Sequence, residues 1–516
     1  MSSTTTTRLS FNTAEQFKES FYEPEPATIG YIYLANHVPY VNEDVVPAAQ
    51  DTVKFEKETW DNMYAAKKIT GNDVELVIPR KEWTPNVRYR SFDDTIDMTS
   101  LLTANASQNL NGMYIITAER NVYKCLSNGT AVISTIEPTG DYNTSNGTIS
   151  TSDGYIWKYM YNVKPFNKFI SNTWIPAPVS SSKLDYNVNP TGVVPGQINR
   201  IVVTNSGSGY QTVNATATAF TTGQSFLRIS TLGNVSSNMA VSGTGISVGT
   251  HITSIDTPNN IINISLATTA NGGGANSANT ITISTRVYII GDGTGAAASA
   301  NVQGGTLNSI TLSTYGRDYN YANVKIYGSG TAANARVILP PQFGHAFNPA
   351  KELSANNVMV AVKIGAIDST EGGIISTNTT FRQYGLLRDP YKYGRISAAN
   401  TTTSNTVISQ TTDITLVSGT QYQLNEMVYQ GTPEYQSFVG FVHAQTSNVV
   451  RLTKVRGSAV VGQGLIGENS AVSRTVVNIK RPEFQPYTGD ILYAENFKKV
   501  ERSNGQSENI RFVVRF

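Results

Sequence analysis

The sequence predicts a mainly β protein: a β-sandwich core with a few short marginal helices, plus two inserted small β modules. Three observations point there. Charged residues fill only 15% of the 516 positions, well under the roughly 25% of ordinary soluble domains. Ser, Thr, Asn and Gly take their place; Thr favours strands, while Gly and Asn supply the positive φ of tight turns. Apolar and polar residues alternate in short runs bounded by glycine, which is the period of half-buried strands. One strand-and-turn unit also occurs twice.

Bulk properties exclude several classes. The net charge is +2, so no strong field draws nucleic acid or an anionic membrane, and neither is an expected partner. Cys125 is the single cysteine, which leaves no internal disulfide. The start, MSSTTTTRLSF, lacks the apolar core of a signal peptide, and no apolar run reaches the ~18 residues of a membrane span. Folding in a cytoplasm is expected. A chain of this length is expected to form roughly two to four domains.

Taken in order, residues 1–8 read as a polar, disordered tail. Asn12 to Phe21 predicts a short helix, with Thr13 and Gln16 in capping-box spacing and Phe17 and Phe21 on one face. Tyr31 to Leu34 reads as a strand. Residues 51–68 predict a helix with Val53, Trp60, Met63 and Tyr64 in one stripe and Lys67 and Lys68 at its carboxyl end. Val74 to Ile78, Gly112 to Thr117, Val122 to Leu126 and Tyr155 to Val163 read as strands. Trp83, Trp157 and Trp174 fall in this half, just after Trp60, and mark a core.

Composition shifts near Pro190-Thr191-Gly192. Ile198 to Tyr210 and Leu307 to Tyr319 are the two copies of the repeated unit. Each is an alternating strand, a glycine turn and a closing tyrosine, followed by a small-residue strand, which predicts a duplicated hairpin. Val241 to Ile246 and Ile252 to Ile255 read as strands between them, and 357–366 as a packed strand. A second shift begins near Ala399. Residues 406–478 have the rhythm of a small five- or six-strand barrel. The expected organisation is a core at 1–195, an inserted module with the duplicated hairpin at 196–336, core again at 337–405, a barrel-like insert at 406–478, and core strands at 479–516.

No set of residues assembles into convincing catalytic chemistry. His37, His251, His345 and His443 are far apart, sit in different predicted modules and lack metal-ligand spacing, so they read as surface or loop histidines. Cys125 lies in an alternating strand beside Lys124 and reads as core filler. Gly291-Asp292-Gly293-Thr294-Gly295 lacks the third glycine and the Lys-Ser/Thr of phosphate loops and reads as a turn. Asp93 with Asp94, or Asp153 with Glu137, offers carboxylate pairs of the kind glycosidases use, but such dipeptides more often build turns. Arg80, Lys81, Arg88 and Arg90 cluster with Trp83 and Tyr89, a composition enriched at protein interfaces.

Several of these residues carry a resemblance. Trp60-Asp61-Asn62-Met63, Val74 to Arg80, Trp83, Arg88-Tyr89, Val122 to Leu126, Gly147 to Ile149 and Asp153 to Tyr159 come in order. Phe381-Arg382-Gln383, Asp389-Pro390, Gly489 to Asn496, Gln506, Glu508, Ile510 and Phe516 follow. Together they resemble the dimer-forming baseplate wedge protein of T-even-type contractile-tailed phages over residues 12–190, 340–395 and 480–516. Two departures stand out: shorter family members lack anything like 196–336 and 406–478, and Phe497-Lys498-Lys499 replaces an Arg and a Pro. The inserts are similar to repeat modules of phage tail and fibre proteins. The resemblance implies a structural subunit in the virion tail baseplate, assembled in the host cytoplasm. It implies a homodimer in contact with other wedge proteins, no enzymatic activity and no cofactor. A fibre-like or adhesin-type tail protein that touches host glycans through the inserts is the alternative. Arg80, Trp83, Arg88, Tyr155, Trp157, Tyr493, Glu495 and Asn496 are the residues expected to define the fold or an interface. No catalytic, cofactor or metal residue is assigned.

Overall fold

The computed structural model describes residues 6–23, 29–129, 132–141, 143–144, 147–179, 193–272, 280–365, 374–395 and 406–516. The first five residues of the expected tail, residue 366 and the compositional shifts near 190–192 and 399 lie outside the described residues. Strand accounts for 45% of the described residues and helix for 10%, so the protein is mainly β, with several open sheets, a closed barrel and a few short helices. The chain divides into two compact units. The first holds Met1–Ile78, Lys168–Pro176 and Ala355–Phe516, and the second Pro79–Asn167 and Ala177–Ser354.

In the first unit, one sheet orders Val407–Ser409, Ala65–Lys68, Gly30–Ala35, Thr379–Arg388 and Asp490–Arg502. A second sheet orders Trp174–Pro176, Val74–Pro79, Asn357–Ile364 and Glu508–Arg515. Every residue of Gly30–Ala35 is buried, as expected of a central strand covered on both faces. On one face Tyr31, Tyr33, Ala66 and Leu387 pack with Trp60 and Phe484. On the other, Tyr493 stacks on Phe512 of the second sheet at 4.6 Å between ring centroids. Gly385 makes a close approach possible: a Cβ there would lie 2.0 Å from the Tyr493 carbonyl and 2.4 Å from the Tyr33 hydroxyl. Helix α1 (Thr7–Glu19) packs on the strand Asn357–Ile364, with Lys18 paired to Glu75 and Phe17 against Phe516.

Two local expectations are corrected here. Helix α1 begins at Thr7, inside the expected tail, and Thr13 donates to the Leu9 carbonyl instead of capping. Helix α2 (Val53–Asn62) stops before Met63, and Ala65–Lys68 is a strand paired with Gly30–Ala35. The helical stripe continues on paper, but the cross-strand partner wins, because Tyr64, Ala65 and Ala66 are buried as part of the sheet. Val53, placed on the same stripe, is 67% exposed.

Residues 412–480 form a closed six-stranded barrel with its own core of Ile414, Leu416, Val428, Phe438, Leu452 and Leu465 among others. Two of its buried polar side chains are satisfied within it. Glu426 accepts from the backbone amides of Asn469 and Ser470, and Gln430 bonds both the amide and the carbonyl of Val460.

In the second unit, Tyr114–Ile116, Asn121–Asn128, Tyr155–Asn162 and Thr148–Ser150 make a four-stranded sheet. A six-stranded sheet runs Arg200–Asn205, Asn334–Ile338, Ala322–Tyr327, Arg286–Gly291, Thr294–Gln303, Thr306–Arg317. Two three-stranded sheets from 213–284 share a separate apolar core. The duplicated-hairpin reading is corrected. Neither repeated strand pairs with the strand that follows it: Arg200–Asn205 pairs with Asn334–Ile338, and Thr306–Arg317 with Thr294–Gln303. The two copies are instead the opposite edges of one sheet, and these edges curl to meet, with Ile198 N–H donating to Tyr315 O at 3.0 Å and Leu307 N–H to Ser206 O at 2.9 Å. Arg200 binds the Leu126 carbonyl and Ser91, and Arg336 grips Asp93 and Asp94, so 79–167 and 177–354 form one compact unit.

Candidate functional site

The eight singled-out residues fall into two groups, one in each unit. In the second unit Trp83, Tyr155 and Trp157 join Tyr89, Tyr123 and Cys125 in one aromatic core. Tyr155 and Trp157 stack at 5.5 Å, and Tyr89 meets Trp157 edge-on at 5.3 Å. Trp83 is half-buried and its indole donates to Ser134 at 3.2 Å. Arg80 pairs with Glu82 at 2.6 Å, and Arg88 stands exposed on a short strand beside Leu110. The neighbouring basic residues are engaged locally: Lys81 lies over the Tyr114 ring, and Arg90 donates to Thr103 O.

In the first unit Glu495 accepts the phenol protons of both Tyr384 and Tyr493, at 2.7 and 2.6 Å. Asn496 accepts from Gln383 at 2.9 Å and donates to Pro47 O at 3.0 Å. These three residues therefore tie the strand Asp490–Arg502 to its neighbour and to the loop before α2.

The other candidates also take turn or core positions. Asp292 accepts from the amides of Asn320 and Tyr321. Asp153 accepts from those of Thr135 and Ile136, and Glu137 from that of Ala118. Cys125 is fully buried, and burial pushes its thiol up, away from thiolate.

Sequence reasoning missed two buried polar clusters. The first lies in the second unit, on the face of the four-stranded sheet opposite the aromatic core. Lys124 and Lys158 are direct cross-strand neighbours, an arrangement that repels without a counter-charge. Glu352 of α3 (Pro349–Glu352) reaches Lys124 at 3.0 Å, and His345 Nδ1 lies 3.2 Å from the same ammonium. The same Nδ1 lies 3.5 Å from Glu352, which favours the charged imidazole, but burial first, then Lys124, holds it down to about 4. Burial opposes the charge on Glu352, yet Lys124 holds its carboxyl below the usual range. Burial brings Lys158 down to about 8. Lys158 and His345 line a cavity of roughly 410 Å³ with Asn199, Gln197 and Tyr315. The available signal was alternation: Lys124 lies between Val122 and Leu126, and Lys158 between Ile156 and Met160, on faces that otherwise read as buried.

The second cluster corrects the histidine expectation. His37, His345 and His443 are buried, and His37 and His443 meet at 4.8 Å between ring centroids. His37 Nδ1 donates to Asn425 Oδ1 and its Nε2 accepts from Thr453, both at 2.8 Å. His443 stacks on Tyr64 at 4.1 Å. Burial holds His37 down to about 4 and His443 well below the usual histidine range. Spacing carried no signal for this contact, because Asn425, His443 and Thr453 come from the barrel and His37 from a loop nearly four hundred residues earlier.

Among the described residues no group of three or more His, Cys, Asp or Glu side chains is placed to hold a metal ion, and no helix is long and apolar enough to cross a membrane. Compared with known proteins, the chain matches no family model and no curated protein.

Proposed function

We propose that this chain is a structural subunit of a phage tail baseplate, a wedge component that acts as a homodimer and links neighbouring wedge proteins through assembly and sheath contraction. One observation carries the reading. The segments with the wedge-protein resemblance lie far apart in sequence yet share sheets. Phe381 to Arg388 pairs with Asp490 to Val500. Val74–Pro79 and Glu508–Arg515 flank one strand. Asn121–Asn128 and Thr148–Ser150 flank another. A β framework locked by buried ion pairs and stacked tyrosines suits a rigid body that pivots at its contacts. Virions are the natural place of action, after assembly in the host cytoplasm. Immunogold labelling of intact particles with an antibody to the 412–480 barrel tests this. Gold at the tail end beneath the sheath is expected, and gold along the fibres would overturn it.

A second reading, a tail protein that touches host glycans, is favoured by exposed tyrosines on the expected inserts. Tyr435 is 85% exposed and Tyr321 58%, and exposed rings are platforms for sugar stacking.

A further inference from the structure

The chain carries five Asn-Gly dipeptides, at 111–112, 128–129, 146–147, 271–272 and 504–505. Such a pair is chemically labile, because glycine has no side chain to keep its backbone nitrogen away from the preceding carboxamide carbon. Ring closure between the two needs two freedoms. The glycine N–H must be unbonded, and the asparagine side chain must be able to swing over it.

Four of the five pairs lack one or both. Gly272 N–H donates to Phe220 O at 3.0 Å, and Asn271 Oδ1 accepts from the amide of Thr222 at 2.9 Å. Gly147 N–H donates to Thr144 O at 2.7 Å. Asn128 Nδ2 donates to Tyr89 O at 3.1 Å from the end of its strand. Asn111 bonds the Tyr89 side chain, and Gly112 is buried.

Asn504-Gly505 has both freedoms. It is the tip of the turn between Asp490–Arg502 and Glu508–Arg515, where every residue from 503 to 507 is exposed. Among the described residues, neither the Asn504 side chain nor the Gly505 N–H makes a hydrogen bond. Gly505 takes a left-handed φ of 73°, and a Cβ there would meet nothing within 4 Å. Two long bonds hold the tip: Gln506 N–H to Ser503 O at 3.3 Å, and Ser503 N–H to Gln506 Oε1 at 3.4 Å. Exposed bonds of that length open at low cost. The base of the turn is clamped instead. Buried Arg502 and Glu508 pair, Arg502 donates to Gly365 O at 2.8 Å, and Asn378 N–H donates to Arg502 O at 2.6 Å. The tip can therefore rearrange while the sheets stay in place.

We infer that Asn504 is a site of spontaneous modification in the folded chain, deamidating to aspartate and isoaspartate. The Gly505 nitrogen attacks Asn504 Cγ and closes a succinimide ring. Its proton passes through solvent to the carboxamide nitrogen, which leaves as ammonia. Water then opens the ring. Cleavage at Cγ gives aspartate, and cleavage at the backbone carbonyl carbon gives isoaspartate, with one extra methylene in the main chain. Either product puts a carboxylate on a turn tip, residues 503–507, that is neutral in the sequence. The site is independent of the baseplate reading.

Peptide mapping by mass spectrometry tests this on the full chain aged in native buffer and, in parallel, in urea. In native buffer the mass gain of NH2 replaced by OH is expected in the 504–505 peptide alone. It is expected to come faster at pH 8 than at pH 6, because the attacking nitrogen must lose its proton. In urea all five pairs are expected to react. Methyl transfer from S-adenosylmethionine by an isoaspartyl methyltransferase reads the isoaspartate independently. Asn504→Gln, an exposed change, is expected to remove the native signal with the melting temperature unchanged. No mass gain at 504 in the folded chain, or a gain spread evenly over the five pairs, would overturn the inference.

Discussion

Lys124 and Lys158 face each other across two paired strands, and a single carboxylate, Glu352, sits against Lys124. Removing one partner of a buried pair leaves the other charge uncompensated, which costs more than the pair itself contributes. Lys124→Met is therefore expected to destabilise the second unit by about 3–5 kcal/mol. The double variant Lys124→Met with Glu352→Gln is expected to recover much of that loss. Urea denaturation followed by tryptophan fluorescence reads both, since Trp83 and Trp157 lie in the core on the other face of this sheet. A single variant as stable as the parent would show that the pair does not hold 345–352 in place. These lysines were invisible as a pair in the sequence, because alternation says which face a residue occupies and not which residue lies opposite. The aromatic partners Trp83, Tyr155 and Trp157 were more legible, since large rings concentrated in one stretch have few places to go except one core.

At the scale of elements, the barrel 412–480 has a closed hydrogen-bonded ring, its own apolar core, and Glu426 and Gln430 bonded within it. Expressed alone it is expected to fold cooperatively; circular dichroism and a single urea transition would show this, and a molten spectrum would refute it. Its seam with the framework is where histidine matters. His37 is faced by Asn425, Thr453, His443 and Lys454 from the barrel and by Arg382 from the framework, and Arg451 lies near His443. Burial keeps the folded His37 at about 4, whereas an unfolded histidine titrates near 6.5. Between those values the unfolded chain takes up a proton that the folded chain refuses, so stability falls as pH drops from about 6.5 to about 4 and is fully present above that window. For His37 this amounts to about 3 kcal/mol. Thermal melts at pH 7.5 and pH 4.5 should differ less for His37→Gln than for the parent. An equal pH dependence would show that His37 titrates freely in the fold.

For the whole molecule, the homodimer proposal predicts a mass of twice 55.8 kDa in sedimentation equilibrium at micromolar concentration, and a lone 55.8 kDa species would remove it. The sequence by itself determined the mainly β class, most strand positions, the seventy-residue barrel and the aromatic core around Trp157. Each of these is written in short-range alternation, glycine turns and residue size. Only the tertiary structure decided which strands pair, that the two repeated strands are opposite edges of one sheet, that 65–68 leaves the helix, and that 79–167 and 177–354 share one compact unit. It alone brought His37 to His443 and Lys124 to Lys158. The physical reason is that backbone donors and acceptors are the same in every strand. Partner choice therefore rests on which long-range combination buries the most apolar surface, and no local window contains that information.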